Sequence, residues 1–271
     1  RDHHWFGAYR FSFSTNGINY YEEKVQQFIL KNKEHLSIGI TIDGTEMKHD
    51  LNRVYKASGR GSYKDVVRNI PLWLSQFPDA STKVTISSAD IPYIKESVLH
   101  LYALGIHEVN INCVFEDVWK AGDDRLFEEQ LLMLADAIID NGYYRDYSCS
   151  FFGEHLGKPL DCKLQNQNWC GAGMMLAVDA MGNFYPCTRF AQYSLRNKKA
   201  WIIGNIHDGI DKNKLRPFLT LDRCTQSTQE CIDCEVASGC AWCQGENYDA
   251  ADTSTIYQRS TAICKMHKAR V

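Results

Sequence analysis

Along its first half the chain alternates between two textures of apolar spacing. Short runs rich in Ile, Val, Thr and Phe predict strands at Phe11–Thr15, Leu36–Asp43, Lys83–Ser88 and Glu108–Phe115. Between them, apolar residues recur every three to four positions and predict helices at Tyr20–Glu34, Ser62–Phe77, Ile91–Leu104 and Asp123–Asn141. The last carries Leu126, Phe127, Leu131, Leu134, Ala135 and Ile138 on one face. Repeated strand–helix alternation predicts parallel βαβ units, because two parallel strands need a long crossover between them. Breakers fall where such units turn: Asn16-Gly17, Asp43-Gly44 and Asn141-Gly142. In α/β folds the loops at the C-terminal ends of strands carry function, which singles out STNG and TIDGT.

Beyond Tyr147 the alternation stops. Glycine, cysteine and turn residues become dense, and no long helical pattern is expected before Thr255–Lys268. The stretch MMLAVDAMGNFYPC predicts a β-hairpin, with Leu176, Val178, Phe184 and Tyr185 flanking a turn at residues 179–183. Such a hairpin would hold Cys170, before its first strand, beside Cys187, after its second. The natural division is into two domains, 1–147 and 148–271.

Composition narrows the chemistry. A chain of 271 residues, 44% of them hydrophobic, can bury a core without disulfide staples. Its eleven cysteines are an odd number, its start RDHHWFGAYRF has no signal-peptide pattern, and no apolar run approaches the roughly 20 residues of a membrane span. A net charge of −3 gives no global field for nucleic acid. The expectation is a cytoplasmic protein with reduced thiols and no nucleic-acid or membrane partner, in which clustered cysteines are metal ligands or reactive groups.

Seven cysteines form a pattern: Cys170, eleven residues to Gly182, four more to Cys187, then Cys231-x2-Cys234-x5-Cys240-x2-Cys243, and Cys264, with Cys224 a candidate eighth. Two thiolates in a tight turn can grip one centre, and two such pairs with scattered partners point to two centres. Spacing alone leaves zinc and iron–sulfur both open. Cys113 and Cys149 lie outside the pattern and read as small buried hydrophobes, and Cys162 also lies outside it. The histidines show no ligand spacing beyond the His3-His4 pair. Asn16 and Asp43 either serve their own turns or face a ligand. The basic stretches at residues 196–199 and 265–270 read as solvated faces.

The cysteine order resembles the SPASM extension of radical SAM peptide- and protein-modifying enzymes, whose signature is Cys, Gly-x4-Cys, a gap, Cys-x2-Cys-x5-Cys-x3-Cys, a gap and Cys. This chain departs only at Cys240–Cys243, where two residues replace three. The first half is similar to the same family through TNG after a strand and TIDGTEMKHDLNRV followed by RGSYKDVVRNI. The resemblance implies a partial (β/α)6-type radical SAM barrel of the last four βα units, followed by a small SPASM domain. It implies that Thr41 and Arg53 hold the carboxylate of S-adenosylmethionine, with Asn16 and Asp43 in the same site. Two auxiliary [4Fe–4S] clusters are implied, one on Cys231, Cys234, Cys240 and Cys264. The other would use Cys170, Cys187 and Cys243, its fourth position closed by Cys224 or Cys162 or left open to a substrate thiolate.

Within that family the likeness is to maturases of ribosomal peptides with Cys-x-x-x repeats, which implies a Cys-rich precursor peptide, a thioether or related crosslink, and a flavodoxin or ferredoxin as electron donor. Two rivals stand beside it: a zinc-stabilised binding module, and an anaerobic sulfatase-maturing enzyme, whose base is an aspartate where this chain has Thr188. The family's Cys-x3-Cys-x2-Cys loop and Gly-Gly-Glu are absent. The expectation is therefore a fragment without the first two βα units, unable to generate the 5′-deoxyadenosyl radical by itself.

Overall fold

In the computed structural model of the chain, residues 9–154, 156–161 and 170–271 are described. They fold as two units, one of residues 9–114, 120–153 and Arg270, the other of the remainder. In the first unit β1 (Phe11–Thr15) pairs in parallel with β2 (Leu36–Ile40) across α1 (Glu23–Asn32). After α2 (Glu46–Asn52), α3 (Tyr63–Val67) and α4 (Ile70–Gln76) comes β3 (Ser81–Ile86). It pairs with β4 (Glu108–Cys113) across α5 (Ile94–Ala103), and β4 with β5 (Ser148–Cys149) across α6 (Asp123–Asp140), all in parallel. The unit is thus mixed α/β with parallel ladders in two separate sheets, and no closed barrel forms among the described residues.

Side-chain alternation explains which face is buried. Leu36, Ile38 and Ile40 on β2, Val84 and Ile86 on β3, and Val109 and Ile111 on β4 point one way and are buried. Trp73 on α4 packs fully buried, and its indole N–H donates to Ile38 O at 2.7 Å. Between β2 and β3 a side chain stands in for ladder bonds: the buried Thr82 hydroxyl donates to Ile40 O at 2.8 Å and accepts from Ile42 N at 3.2 Å.

Several expected boundaries shift for local reasons. β2 ends at Ile40 rather than Asp43, since the last parallel bond is Thr41 N–H to Thr15 O at 2.8 Å and the chain then turns at Gly44. Gly44 has φ +125°, and a Cβ there would collide with the Ser97 side chain, so only glycine fits this turn. The helix expected over 62–77 is two, because Pro71 in the first turn of α4 has no N–H to continue α3. That expected over 91–104 begins as a 3-10 segment, Ser88–Tyr93, closed by a capping box between Ser87 and Asp90, before α5 takes over.

In the second unit the hairpin forms as expected, β6 (Ala177–Val178) against β7 (Asn183–Tyr185), with Ala177 opposite Tyr185 and Val178 opposite Phe184. Its turn is built on Asp179, whose carboxylate accepts from Met181 N, Asn183 N and the Tyr185 hydroxyl. Hydrogen bonds from Asn183 and Tyr185 hold that carboxyl down at about 2. β8 (Gly204–Asn205) and β9 (Gly209–Ile210) extend the hairpin to a four-stranded antiparallel sheet. Its core gathers Phe190, Ile203, Phe218, Leu221 and Tyr248. The helical content is larger than expected: α7 (Lys212–Thr220), N-capped by Asp211, α8 (Arg223–Gln226), α9 (Gln229–Ile232) and α10 (Gln244–Ala250) all precede α11. The helix expected over 255–268 is only α11 (Cys264–Ala269). No helix among the described residues is long and apolar enough to cross a membrane.

Candidate functional site

The quartet Cys231, Cys234, Cys240 and Cys264 is assembled by short local devices. Thr228 caps α9 and accepts from Cys231 N. Successive turns follow, with Ala237 N donating to Cys234 O and Cys240 N to Ala237 O, each at 3.2 Å. Cys264 opens α11. The Trp242 indole donates to Gln226 on α8, tying this turn region to the helix before it. All four cysteines line one cavity of about 520 Å3, together with Arg223 and Arg259. Arg259 donates through Nη2 to Cys240 Sγ at 3.2 Å and through Nη1 to Ser227 Oγ at 2.9 Å. Burial raises the Cys240 thiol above its ordinary range, while the two guanidiniums oppose the rise.

Cys187 directly follows Pro186, beyond β7, and is 8% exposed; Cys243 stands at the N-terminus of α10. Burial pushes Cys187 up to about 11, and the nearby Cys170 and Cys243 add to the rise. Cys170 acts on Cys243 in the same way. These three, far apart in sequence, are therefore neighbours in space, and Cys243 does not line the cavity of the other four. Cys224 is half-buried on α8 and does not line that cavity either. Cys162 lies outside the described residues. Beside this trio Arg189 pairs with Glu116 at 2.7 Å and Glu246 at 3.0 Å, and Arg196 with Glu246 at 2.6 Å and Asp249 at 3.2 Å.

The donor sets can be tested against the groups they would hold. No three or more Cys, His, Asp or Glu side chains among the described residues form a ready-made site for a single metal ion. A tetrahedral zinc site needs all four donors about 2.3 Å from one point. Four cysteines around one cavity are a donor set that a polynuclear cluster, whose irons each take one thiolate, can use, as a single zinc ion also can. The lining arginines suit the negative charge of a thiolate-ligated cluster, so the residues present fit a [4Fe–4S] centre.

In the first unit Asn16 and Arg53 line a common cavity of about 210 Å3 with His49 and Ser62. Asn16 Oδ1 accepts from Ile18 N at 3.2 Å, so it also serves its own turn. Asp43 is buried behind Arg53 and accepts from both Nε and Nη2 of the guanidinium. Thr41 is half-buried and does not line this cavity. Beneath the pair lies Lys48, 1% exposed, with Nζ donating to Thr85 O at 2.7 Å and standing 3.5 Å from Asp90 and 4.0 Å from Asp43. Burial lowers its pKa, and the two aspartates hold against that fall. Asp90, Arg223 and Arg259 were not legible as site residues, because no spacing or motif marks them, and Lys48 stands inside TIDGTEMKHDLNRV at a position that the resemblance gives no role. Cys113 and Cys149 are buried, and burial raises them to about 12 and about 11.

No protein-family model matches the chain, and no curated protein matches its sequence. Among solved structures, hexahistidine-tagged anSMEcpe with bound AdoMet, an anaerobic sulfatase-maturating radical SAM/SPASM enzyme, aligns at a TM-score of 0.68 and 20% identity, over 96% of this chain and 68% of that one. Native anSMEcpe with bound AdoMet and the Cp18Cys peptide aligns at 0.65 and 19% identity, over 96% and 72%. The form with the Kp18Cys peptide gives 0.63 and 18%, over 96% and 72%. At such identities the likeness is one of fold.

Proposed function

We propose that the chain is part of a radical S-adenosylmethionine enzyme that modifies a Cys-rich ribosomal peptide and closes a thioether or related crosslink. The observation that carries this reading is the gathering of seven cysteines, spread over residues 170–264, into a group of four and a group of three, in a chain whose fold aligns with a radical SAM/SPASM enzyme. In this reading the first unit is a partial radical SAM barrel and the second a SPASM domain. Cys231, Cys234, Cys240 and Cys264 hold one auxiliary [4Fe–4S] cluster. Cys170, Cys187 and Cys243 hold another, with a position left for the sulfur of the peptide.

S-adenosylmethionine, once cleaved by an electron from the Cys-x3-Cys-x2-Cys cluster that this sequence does not contain, would supply the radical for hydrogen-atom abstraction from a peptide carbon, and the auxiliary clusters would supply one-electron acceptance. The chain's own residues bind and orient. Arg53 presents a guanidinium whose Nε and Nη2 are fixed by Asp43, leaving Nη1 for the cofactor carboxylate. Asn16 closes the cavity wall, whereas Thr41 does not line this cavity. Within the trio Cys187 is buried and Cys170 and Cys243 are half-buried, which limits the access of water to the sulfur to be joined. Sulfatase maturation is disfavoured by Thr188, which puts a hydroxyl where that chemistry uses a carboxylate.

Anaerobic reconstitution with iron and sulfide tests the reading. The expected product is brown, bleaches with dithionite, and changes its visible spectrum on adding a Cys-x-x-x repeat peptide but not its Ser counterpart. A colourless protein that takes up zinc in place of iron would be the end of it. An unchanged spectrum with the Cys peptide removes the open position while leaving the clusters.

A further inference from the structure

The two cysteine groups sit in opposite electrostatic settings. Beside the trio, the Arg189 and Arg196 guanidiniums are matched by Glu116, Glu246 and Asp249, the last two nearly fully buried. Around the quartet stand two guanidiniums that no carboxylate matches among the described residues. Arg223 is 6% exposed; its Nη2 donates only to Ala237 O at 3.3 Å, and its Nε is buried without an acceptor. Arg259 spends its donors on Ser227 Oγ and on Cys240 Sγ. Glu230, Asp233 and Glu235 also line the cavity, but they are exposed and water screens them. Arg223 is buried and Arg259 half-buried, and two like charges this near the four cysteines favour an anionic occupant.

Resting on the cluster assignment above, we propose that Arg259, backed by Arg223, raises the reduction potential of the centre held by Cys231, Cys234, Cys240 and Cys264, so that this centre accepts an electron more readily than four thiolates alone would allow. The physical reason is charge. One added electron makes the centre more negative, and both an N–H donor on a ligand sulfur and an unmatched positive charge favour that state over the oxidised one. Arg259 acts through Cys240 and is a tuning residue rather than a catalytic one. No bond forms or breaks in the step; in the test below the electron comes from dithionite, which is oxidised to sulfite.

A redox titration of the reconstituted chain, followed by electron paramagnetic resonance, decides the matter. The wave of this centre is the one missing from Cys264→Ala. Arg259→Gln should lower its midpoint so that the reduced-to-oxidised ratio at fixed potential falls about tenfold, roughly 59 mV for one electron. Arg259→Lys, which keeps the charge, should recover most of that shift, and the wave of the other centre should not move in either variant. If Arg259→Gln fails to take up iron and Arg259→Lys succeeds, charge compensation is again supported. A fully loaded Arg259→Gln with an unmoved midpoint overturns the proposal, as does loss of iron in both variants, which marks a purely structural arginine. Absence of iron from this site in the unmodified chain instead overturns the cluster assignment, and the inference goes with it.

Discussion

At the scale of single residues, Asp43 and His49 organise the strand end of the first unit. The Asp43 amide donates to His49 Nδ1 at 3.1 Å, so Nδ1 is the acceptor and Nε2 carries the proton. Nε2 then donates to Ser62 Oγ at 3.1 Å, and that hydroxyl donates to Arg53 O at 2.8 Å. The neutral imidazole thus ties the Asp43 turn to the backbone of Arg53. Burial drives His49 down to about 4, with Asp43 opposing the fall. Because the folded value lies below the unfolded one, the stability His49 lends is complete above about pH 6.5 and drains away as pH falls towards 4. Between pH 7 and pH 5 the loss should be about 2 kcal/mol. An NMR titration of the His49 ring should show it neutral at pH 5; a folded-state midpoint near 6.5 would contradict this account. In Asp43→Asn the guanidinium of Arg53 loses its ion partner and the buried Lys48 keeps only Asp90. The stability lost in urea unfolding should approach the roughly 3 kcal/mol typical of a broken buried pair.

At the scale of elements, the seam between β2 and β3 rests on one hydroxyl. Thr82 serves Ile40 O and Ile42 N together, both buried, where a continuous ladder would use backbone alone. Thr82→Val keeps the shape and strands both backbone groups, at a cost of about 1–3 kcal/mol for each group left unsatisfied. Thr82→Ser should cost clearly less, since the hydroxyl stays. Equal losses in urea unfolding for the two variants would mean that the methyl, not the hydrogen bonds, holds the seam. The same economy of local parts shapes the second unit, where α10 turns nearly every side chain inward and places Glu246 and Asp249 against Arg189 and Arg196.

At the scale of the whole molecule, the prediction concerns how the two cysteine groups load. Cys170, Cys187 and Cys243 do not line the quartet's cavity, although only two residues separate Cys243 from Cys240, so the two metal contents should be independent. Cys264→Ala and Cys187→Ala should each lose about one cluster's iron, and the double variant should lose both. Cys224→Ala should keep the quartet's iron, because Cys224 does not reach that cavity. Iron analysis after reconstitution checks this; a single substitution that empties both sites would show one shared centre.

Period and punctuation along the chain determined what is local. Alternating apolar positions placed β1 at Phe11–Thr15 and the long amphipathic run placed α6 within one residue of its end, because strand and helix periods are properties of the backbone. The hairpin and its turn were legible too, since turn residues at 179–183 stand between two runs that can pair. Other features lie in contacts between residues far apart in sequence, which no period encodes. The Pro71 break, by contrast, is local and follows from the missing proline N–H, and the short helices before Cys264 carry no long period to mark them. The Thr82 seam spans some forty positions, and Arg259 meets Cys240 across nineteen. A cysteine spacing announces that a centre can exist, because ligands in one turn must be close. What surrounds it, two unmatched guanidiniums on one side and matched ones on the other, is decided only when distant segments are folded against each other.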